Sequence, residues 1–132
     1  MKLSKLRPML STEDIRGTID FYVTLLGFEC IAFEPEWDWA SLRLDNIEIM
    51  LSCPGNLVPF EKPIFTGSFY FSIDMVDELW GRLKEKAKVA YPIENMEYGM
   101  REFAIYDNNG YILQFGQEID VANHEKNALN NM

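Results

Sequence analysis

Two carboxylates in the predicted strands, Glu48 and Glu102, are the candidates for acid/base chemistry. A metal-free enzyme would need them paired with a nucleophile or shifted in pKa, and the sequence does not bring them together. The simpler interpretation of each is a solvated carboxylate or one in a salt bridge, for instance with Arg43 or Arg101. We therefore predict no catalytic residue.

Other reactive side chains are scarce. The only histidine, His124, lies in a polar C-terminal segment, which leaves a Ser-His-Asp triad or a histidine-rich metal site almost without ligands. Cys30 and Cys53 lack the spacing of a metal-binding pair, and we interpret both as reduced packing residues. No cofactor is predicted.

Two tryptophans alternate around an aspartate in the segment EPEWDWASLRL. Trp37 and Trp39 would form an aromatic wall beside the negative charge of Asp38, which suits a flat or cationic ligand. The alternative is that one tryptophan covers the core and the other lies at an interface. The sequence leaves both interpretations open.

Bulk composition limits the class of protein. The chain has 132 residues, enough for one globular domain, with a formal net charge of −9. That charge disfavours nucleic acid and favours a cationic partner, although acidity can also serve solubility alone. No stretch approaches the roughly 20 apolar residues of a membrane span, and the N-terminus has no signal-like apolar run. We expect a cytoplasmic protein without membrane contact.

The elements that must position these side chains occur twice. Each half contains a strand, a helix and three further strands, which is a βαβββ unit. Asp14 and Asp74 are predicted helix N-caps, and Gly27 is a predicted C-cap. The predicted strands are 6–10, 29–33, 39–44 and 47–52 in the first half, and 68–73, 89–93, 102–106 and 111–116 in the second. Within a single domain 1–132, this gives a first module at about 5–53, a linker 54–67, a second module at about 68–117 and a polar tail 118–132.

Alternation along the strands separates two faces of the sheet. One is almost wholly apolar and belongs under helices. The other mixes polar, charged, aromatic and methionine side chains, which indicates a concave surface able to hold a small molecule, with a dimer interface or a solvated face as alternatives. The predicted ligand-binding residues are Arg7, Trp37, Trp39, Glu48, Met50, Ser68, Tyr70, Glu102, Tyr106 and Gln114.

Two motifs resemble a known family. After Asp14, the segment IRGTIDFYVTLLGFE is similar to D-(L/I)-x-x-(S/T)-x-x-F-Y-x-x-x-L-G-F, and REFAIYDNNGYILQFGQ is similar to R-E-F-x-x-x-D-P-x-G-N-x-x-E-F. Both mark the vicinal oxygen chelate superfamily, which includes glyoxalase I, extradiol dioxygenases and bleomycin resistance proteins. The resemblance runs from about Arg7 to Gln117. It implies an α+β fold in which two βαβββ modules form a cupped mixed sheet with helices on its outer face.

The resemblance also implies where a divalent metal would bind in enzymatic members. Those positions fall on Arg7, Met50, Ser68 and Gln114. None is a good ligand for such an ion, because arginine is cationic, methionine is soft, and a lone amide oxygen binds weakly. We expect no metal site.

Without a metal site, the chain resembles the metal-free bleomycin resistance proteins of this family. This resemblance implies a homodimer that sequesters a cationic or aromatic small molecule and confers antibiotic resistance. The alternatives are a glyoxalase-like lyase or isomerase, or a dioxygenase relative, with an atypical metal site. An interaction module whose aromatic face is buried by a partner is a third alternative.

Overall fold

The computed structural model describes residues 1–53, 60–64 and 67–119, and the chain divides into two compact units, Met1–Pro63 and Ile64–Met132. Each unit is one βαβββ motif with a four-stranded mixed sheet, as the sequence predicts. Residues 54–59, 65–66 and 120–132, which include most of the predicted linker and tail, lie outside the described residues. None of the described helices is long and apolar enough to cross a membrane.

The first unit is built from one α-helix and four strands, with a short 3-10 turn at Pro35–Trp37. The helix and strands are β1 (Met9–Ser11), α1 (Ile15–Leu26), β2 (Glu29–Glu34), β3 (Trp39–Leu44) and β4 (Ile47–Ser52). The strand order is β1-β4-β3-β2, with β1 parallel to β4 and the other pairs antiparallel. Helix α1 packs on β2 and β3 and covers the apolar face of the sheet. The core of this unit consists of Leu10, Tyr22, Leu26, Phe28, Ala40, Leu42, Ile49 and Leu51.

Both predicted ends of α1 are confirmed. The Asp14 carboxylate accepts a hydrogen bond of 2.9 Å from the Gly17 backbone N–H, which satisfies one of the free donors at the helix start. Gly27 ends the helix in the left-handed conformation at φ 83°, which a residue without a Cβ adopts at little cost.

The second unit repeats the arrangement. Its elements are β5 (Phe69–Ser72), α2 (Val76–Leu83), β6 (Lys88–Asn95), β7 (Met100–Tyr106) and β8 (Ile112–Glu118), and the strand order is β5-β8-β7-β6. Helix α2 packs on β7 and β8. A run of aromatic contacts passes through this core, with Phe71 and Phe103 each stacked on Phe115 and Trp80 tilted against Phe103.

Two predictions about the elements are wrong. The first strand begins at Met9 and not at Leu6, and it pairs with the second half of β4, from Met50 to Ser52. The N-cap of helix α2 is Met75 and not Asp74, and the Met75 side chain forms no hydrogen bond with the helix. Instead, the Gln117 side-chain oxygen on β8 accepts from the Val76 N–H at 3.1 Å, so the cap comes from a strand distant in sequence.

Candidate functional site

Glu102 on β7 is a fully buried carboxylate held by phenol hydroxyls. Its Oε1 accepts hydrogen bonds from Tyr70, at 3.0 Å, and from Tyr98, while Oε2 accepts one from Tyr91. These residues, Glu102, Tyr70, Tyr91 and Tyr98, are called here the Glu102 cluster. In the described part of the chain, no lysine or arginine forms an ion pair with this carboxylate.

Gln114 extends the cluster along the sheet. The Ser68 hydroxyl donates to Gln114 Oε1, Gln114 Nε2 donates to the Tyr91 oxygen at 2.9 Å, and the Tyr91 hydroxyl donates to Glu102. These three hydrogen bonds therefore form a chain in which each donor is oriented toward the Glu102 carboxylate. Each oxygen of Glu102 thus acts as a hydrogen-bond acceptor in this network.

The register of the strands explains how residues so distant in sequence meet. Tyr70, Gln114, Ala104 and Tyr91 lie side by side across β5, β8, β7 and β6, and Glu102 lies opposite Gly116 on β8. Gly116 leaves the space through which Tyr70 reaches Glu102, because a Cβ at Gly116 would overlap the Tyr70 hydroxyl.

The cluster changes the acidity of its phenols. Burial, and then the hydrogen bond to Glu102, raise the pKa of Tyr91 from its ordinary value of 10.0 to about 12. For Tyr98 the hydrogen bond to Glu102 is the main cause, and its pKa rises to about 12 as well. Burial also raises the pKa of Tyr70 well above its ordinary value. The phenols are therefore neutral hydrogen-bond donors at physiological pH.

Exposure differs among the three phenols. Tyr98 is 66% exposed and Tyr70 is 43% exposed, whereas Tyr91 is more covered. The buried charge thus lies directly beneath aromatic rings that are open to solvent. This combination is suited to a ligand that stacks on the rings and carries positive charge.

Glu48, the candidate carboxylate of the first unit, lies in an ion-pair cluster. Its Oε2 is 2.6 Å from Lys5 Nζ, and its Oε1 accepts from the Ser41 hydroxyl at 2.9 Å and lies 4.0 Å from Arg7 Nη1. The hydrogen bonds from Lys5 and Ser41 hold the pKa of this carboxyl below its ordinary value. Met50 lies on the same face, opposite Ser41. Glu48 is thus a paired carboxylate on the sheet surface.

The suggested arginine partners of both glutamates are wrong. Arg43 lies 3.8 Å from Glu29, across β2 and β3. Arg101 binds Asp77 of α2, with Nη2 2.8 Å from Oδ1, although it directly precedes Glu102 in sequence. Alternation along β7 explains the second case, because neighbours in a strand point to opposite faces of the sheet.

The aromatic wall predicted around Asp38 does not form as a strand pattern. Trp37 lies in the 3-10 turn Pro35–Trp37 and is 73% exposed, whereas Trp39 is the first residue of β3 and is half-buried. Asp38 between them has φ 50°, so the backbone turns there and the alternation breaks. Tyr106 lies apart from the Glu102 cluster, with Lys88 Nζ 5.2 Å from its ring centroid.

Within the second unit, the structure brings together four predicted ligand-binding residues, namely Ser68, Tyr70, Glu102 and Gln114. The sequence interpretation missed Tyr91 and Tyr98. Tyr91 gave a weak signal, because the pairing of β6 with β7 shifts on both sides of it and no strict alternation applies. Tyr98 lies in the turn between β6 and β7, where periodicity gives no information.

Comparison with known proteins identifies the family. Residues 6–115 match the family model described as Glyoxalase/Bleomycin resistance protein/Dioxygenase superfamily. The chain belongs to this superfamily. No protein of curated function matches its sequence.

Solved structures share the fold at low sequence identity. TioX from Micromonospora sp. ML1 matches with 20% identity and a TM-score of 0.72, over 88% of this chain and 99% of TioX. A lactoylglutathione lyase from Agrobacterium tumefaciens matches with 20% identity and a TM-score of 0.69, over 86% and 92% of the two chains. A glyoxalase/bleomycin resistance protein/dioxygenase from Alicyclobacillus acidocaldarius matches with 18% identity and a TM-score of 0.72, over 89% and 92%. At these identities the likeness concerns the fold.

The residues at the family's metal positions do not fit a divalent metal. In the first unit, Arg7 is cationic and its Nη1 lies 4.0 Å from Glu48 Oε1, while Met50 offers only a thioether. In the second unit, Ser68 and Gln114 are neutral and bonded to each other. Across the described ranges, no group of three or more His, Cys, Asp or Glu side chains is arranged to hold an ion.

Proposed function

We propose that this protein binds a small organic cation reversibly, as a bleomycin resistance protein does, and acts by sequestration without metal chemistry. The observation that carries the proposal is the Glu102 cluster, a buried carboxylate beneath exposed phenol rings. Such a site offers charge and aromatic surface together, which are the two features that bind aromatic cations.

The hydrogen-bond network supports binding over catalysis. Each phenol of the cluster is neutral at physiological pH, because its pKa is raised, and each hydroxyl proton is committed to Glu102. Both oxygens of Glu102 accept hydrogen bonds from these phenols, so a substrate proton would have to compete with them for this carboxylate.

The net charge of −9 supports a cationic ligand in a second way. A negative molecule attracts cations over the Debye length and raises their local concentration, so association is faster at low ionic strength. This effect is independent of the cluster and adds to it.

The proposal is tested by calorimetric titration of the protein with metal-free bleomycin after dialysis against a chelator. We expect saturable heat with a dissociation constant of about 100 μM or tighter, and the same heat when Zn²⁺ is added back. Tyr70→Ala should weaken binding about tenfold, since it removes an exposed ring, while Met75→Ala is the matched control for loss of an exposed apolar side chain.

Two outcomes would overturn the proposal. No saturable heat at about 1 mM bleomycin would remove this ligand class. A stoichiometric divalent ion in the purified protein, together with metal-dependent turnover, would instead favour the lyase or isomerase alternative.

A further inference from the structure

We infer that the Glu102 cluster recognises an ammonium group that carries N–H donors, and that this group takes the place of the Tyr98 hydroxyl on Glu102. The inference rests on the proposed function and deepens it, because it names the ligand group and the residue that the ligand displaces. It starts from the charge balance at Glu102.

Glu102 is a buried carboxyl group that forms no ion pair with any described lysine or arginine. Asp107, the other buried carboxylate, is held by three backbone N–H groups of its own turn, those of Asn109, Gly110 and Tyr111, each at 2.9 Å. Glu102 receives only phenol hydroxyls from three separate segments. Ionised side chains are seldom fully buried without a charged partner, so the cluster has the composition of a site completed by a cation.

The three donors to Glu102 differ in how firmly they are held. Tyr91 lies in β6 and its oxygen also accepts from Gln114 Nε2 at 2.9 Å. Tyr70 lies in β5 and passes over Gly116. Tyr98 lies in the turn between β6 and β7, is 66% exposed, and among the described residues its hydroxyl bonds only to Glu102. Tyr98 is therefore the donor that can be replaced with the least loss.

The turn that carries Tyr98 is closed by its own backbone bonds. Met96 N–H donates to the Met100 carbonyl at 2.7 Å, Gly99 N–H donates to the Met96 carbonyl at 3.1 Å, and Gly99 has φ 85°. The turn thus keeps its shape when the Tyr98 side chain rotates away. Rotation would expose Oε1 of Glu102 on the side that faces solvent.

The chemistry of Oε1 limits what can replace the hydroxyl. The incoming group must donate a hydrogen bond and bring positive charge, which a primary or secondary ammonium does and a quaternary ammonium does not. The compact ammonium group matches the position of a single hydroxyl better than the planar fork of a guanidinium, whose donors are arranged for paired bonds. The neighbouring phenol rings favour an aromatic substituent on the amine.

The test uses benzylammonium and benzyltrimethylammonium, which share ring and charge but differ in N–H donors. Titration calorimetry of the full chain should show benzylammonium binding at least about tenfold more tightly, since it alone forms a charge-assisted hydrogen bond. Glu102→Gln should weaken benzylammonium at least about tenfold and leave the quaternary compound less affected. Glu85→Gln is the matched control, because it removes the same charge from an exposed position.

Tyr98→Phe distinguishes displacement of the Tyr98 hydroxyl by the ligand from a purely structural role of that hydroxyl, because the two predict opposite changes in benzylammonium affinity. Loss of the competing hydroxyl should tighten benzylammonium binding by about three- to tenfold, while the ring remains for stacking. Weaker binding in this variant, or equal affinity of the wild-type chain for the two compounds, would overturn the inference. Bleomycin binding that persists unchanged in Glu102→Gln would also overturn it and would leave the proposed function standing.

Discussion

The side-chain amide of Gln114 connects Ser68 to the Glu102 cluster through two hydrogen bonds. An amide is both donor and acceptor, and Gln114 uses both functions, accepting from Ser68 and donating to Tyr91. A carboxylate at this position could not donate, and it would place a second negative charge beside the Glu102 cluster. The neutral side chain is therefore a requirement of the network.

Gln114→Glu should destabilise the fold and create no tight metal site. We expect the free energy of unfolding to fall by about 1–3 kcal/mol, because Tyr91 loses its donor and like charges approach. Zinc affinity should stay weak, since no group of three or more His, Cys, Asp or Glu side chains among the described residues is arranged to hold an ion. Urea unfolding and zinc titration measure the two effects. Gln114→Leu, which removes the bonds without adding charge, is the control, and tight zinc binding by Gln114→Glu would refute the ligand argument.

At the element scale, the site depends on strand register. Glu102 and Gly116 are paired across β7 and β8, so the absence of a side chain on one strand makes room beside the carboxylate on the other. Tyr70 of β5 uses this space to reach Glu102. β7 thus contributes the Glu102 carboxylate, β8 contributes the space beside Gly116, and β5 contributes the Tyr70 hydroxyl.

Gly116→Ala should displace the Tyr70 hydroxyl and remove one donor from Glu102. We expect a loss of about 1–3 kcal/mol in unfolding free energy, measured by urea denaturation. Gly81→Ala is the matched control in helix α2, where a new Cβ meets no atom within 4 Å. That variant should gain up to about 1 kcal/mol, because alanine favours the helix more than glycine does. Equal effects of the two substitutions would show that Tyr70 does not depend on the gap.

For the molecule as a whole, the phenols of the Glu102 cluster make the stability of the fold depend on pH in the alkaline range. Their pKa values in the folded protein lie above the ordinary value of 10.0, so the unfolded chain loses these protons first as pH rises. Stability from the neutral phenols is thus fully present below about pH 10 and is lost as pH rises toward about 12. The net charge of −9 adds repulsion over the same range.

Tyr91→Phe should make stability less dependent on pH between about pH 10 and pH 12. The variant loses a hydrogen bond to Glu102 and is less stable at neutral pH, but it no longer carries a phenol with a raised pKa at that position. Urea midpoints measured at several pH values in this window give the slope. A slope equal to that of the wild-type chain would contradict the role assigned to Tyr91.

Local signals in the amino-acid sequence were sufficient to predict the architecture. Apolar alternation, the Asp14 cap, the Gly27 stop and the Asp107 turn are local signals, and each fixes a helix or strand end through neighbours within a few residues. The same signals gave β3 and β4 their observed bounds, Trp39–Leu44 and Ile47–Ser52. The two motifs quoted above carried the family.

The composition of the candidate site depends on contacts that form only when the chain folds. Alternation placed Tyr70, Glu102 and Gln114 on one face, but it gave no pairing between strands and could not show that phenols rather than an arginine hold Glu102. Tyr98 lies in a turn and Tyr91 beside irregular pairing, so neither has a periodic signal. Contacts between distant segments depend on strand register and on the space left by Gly116, which a local pattern does not contain.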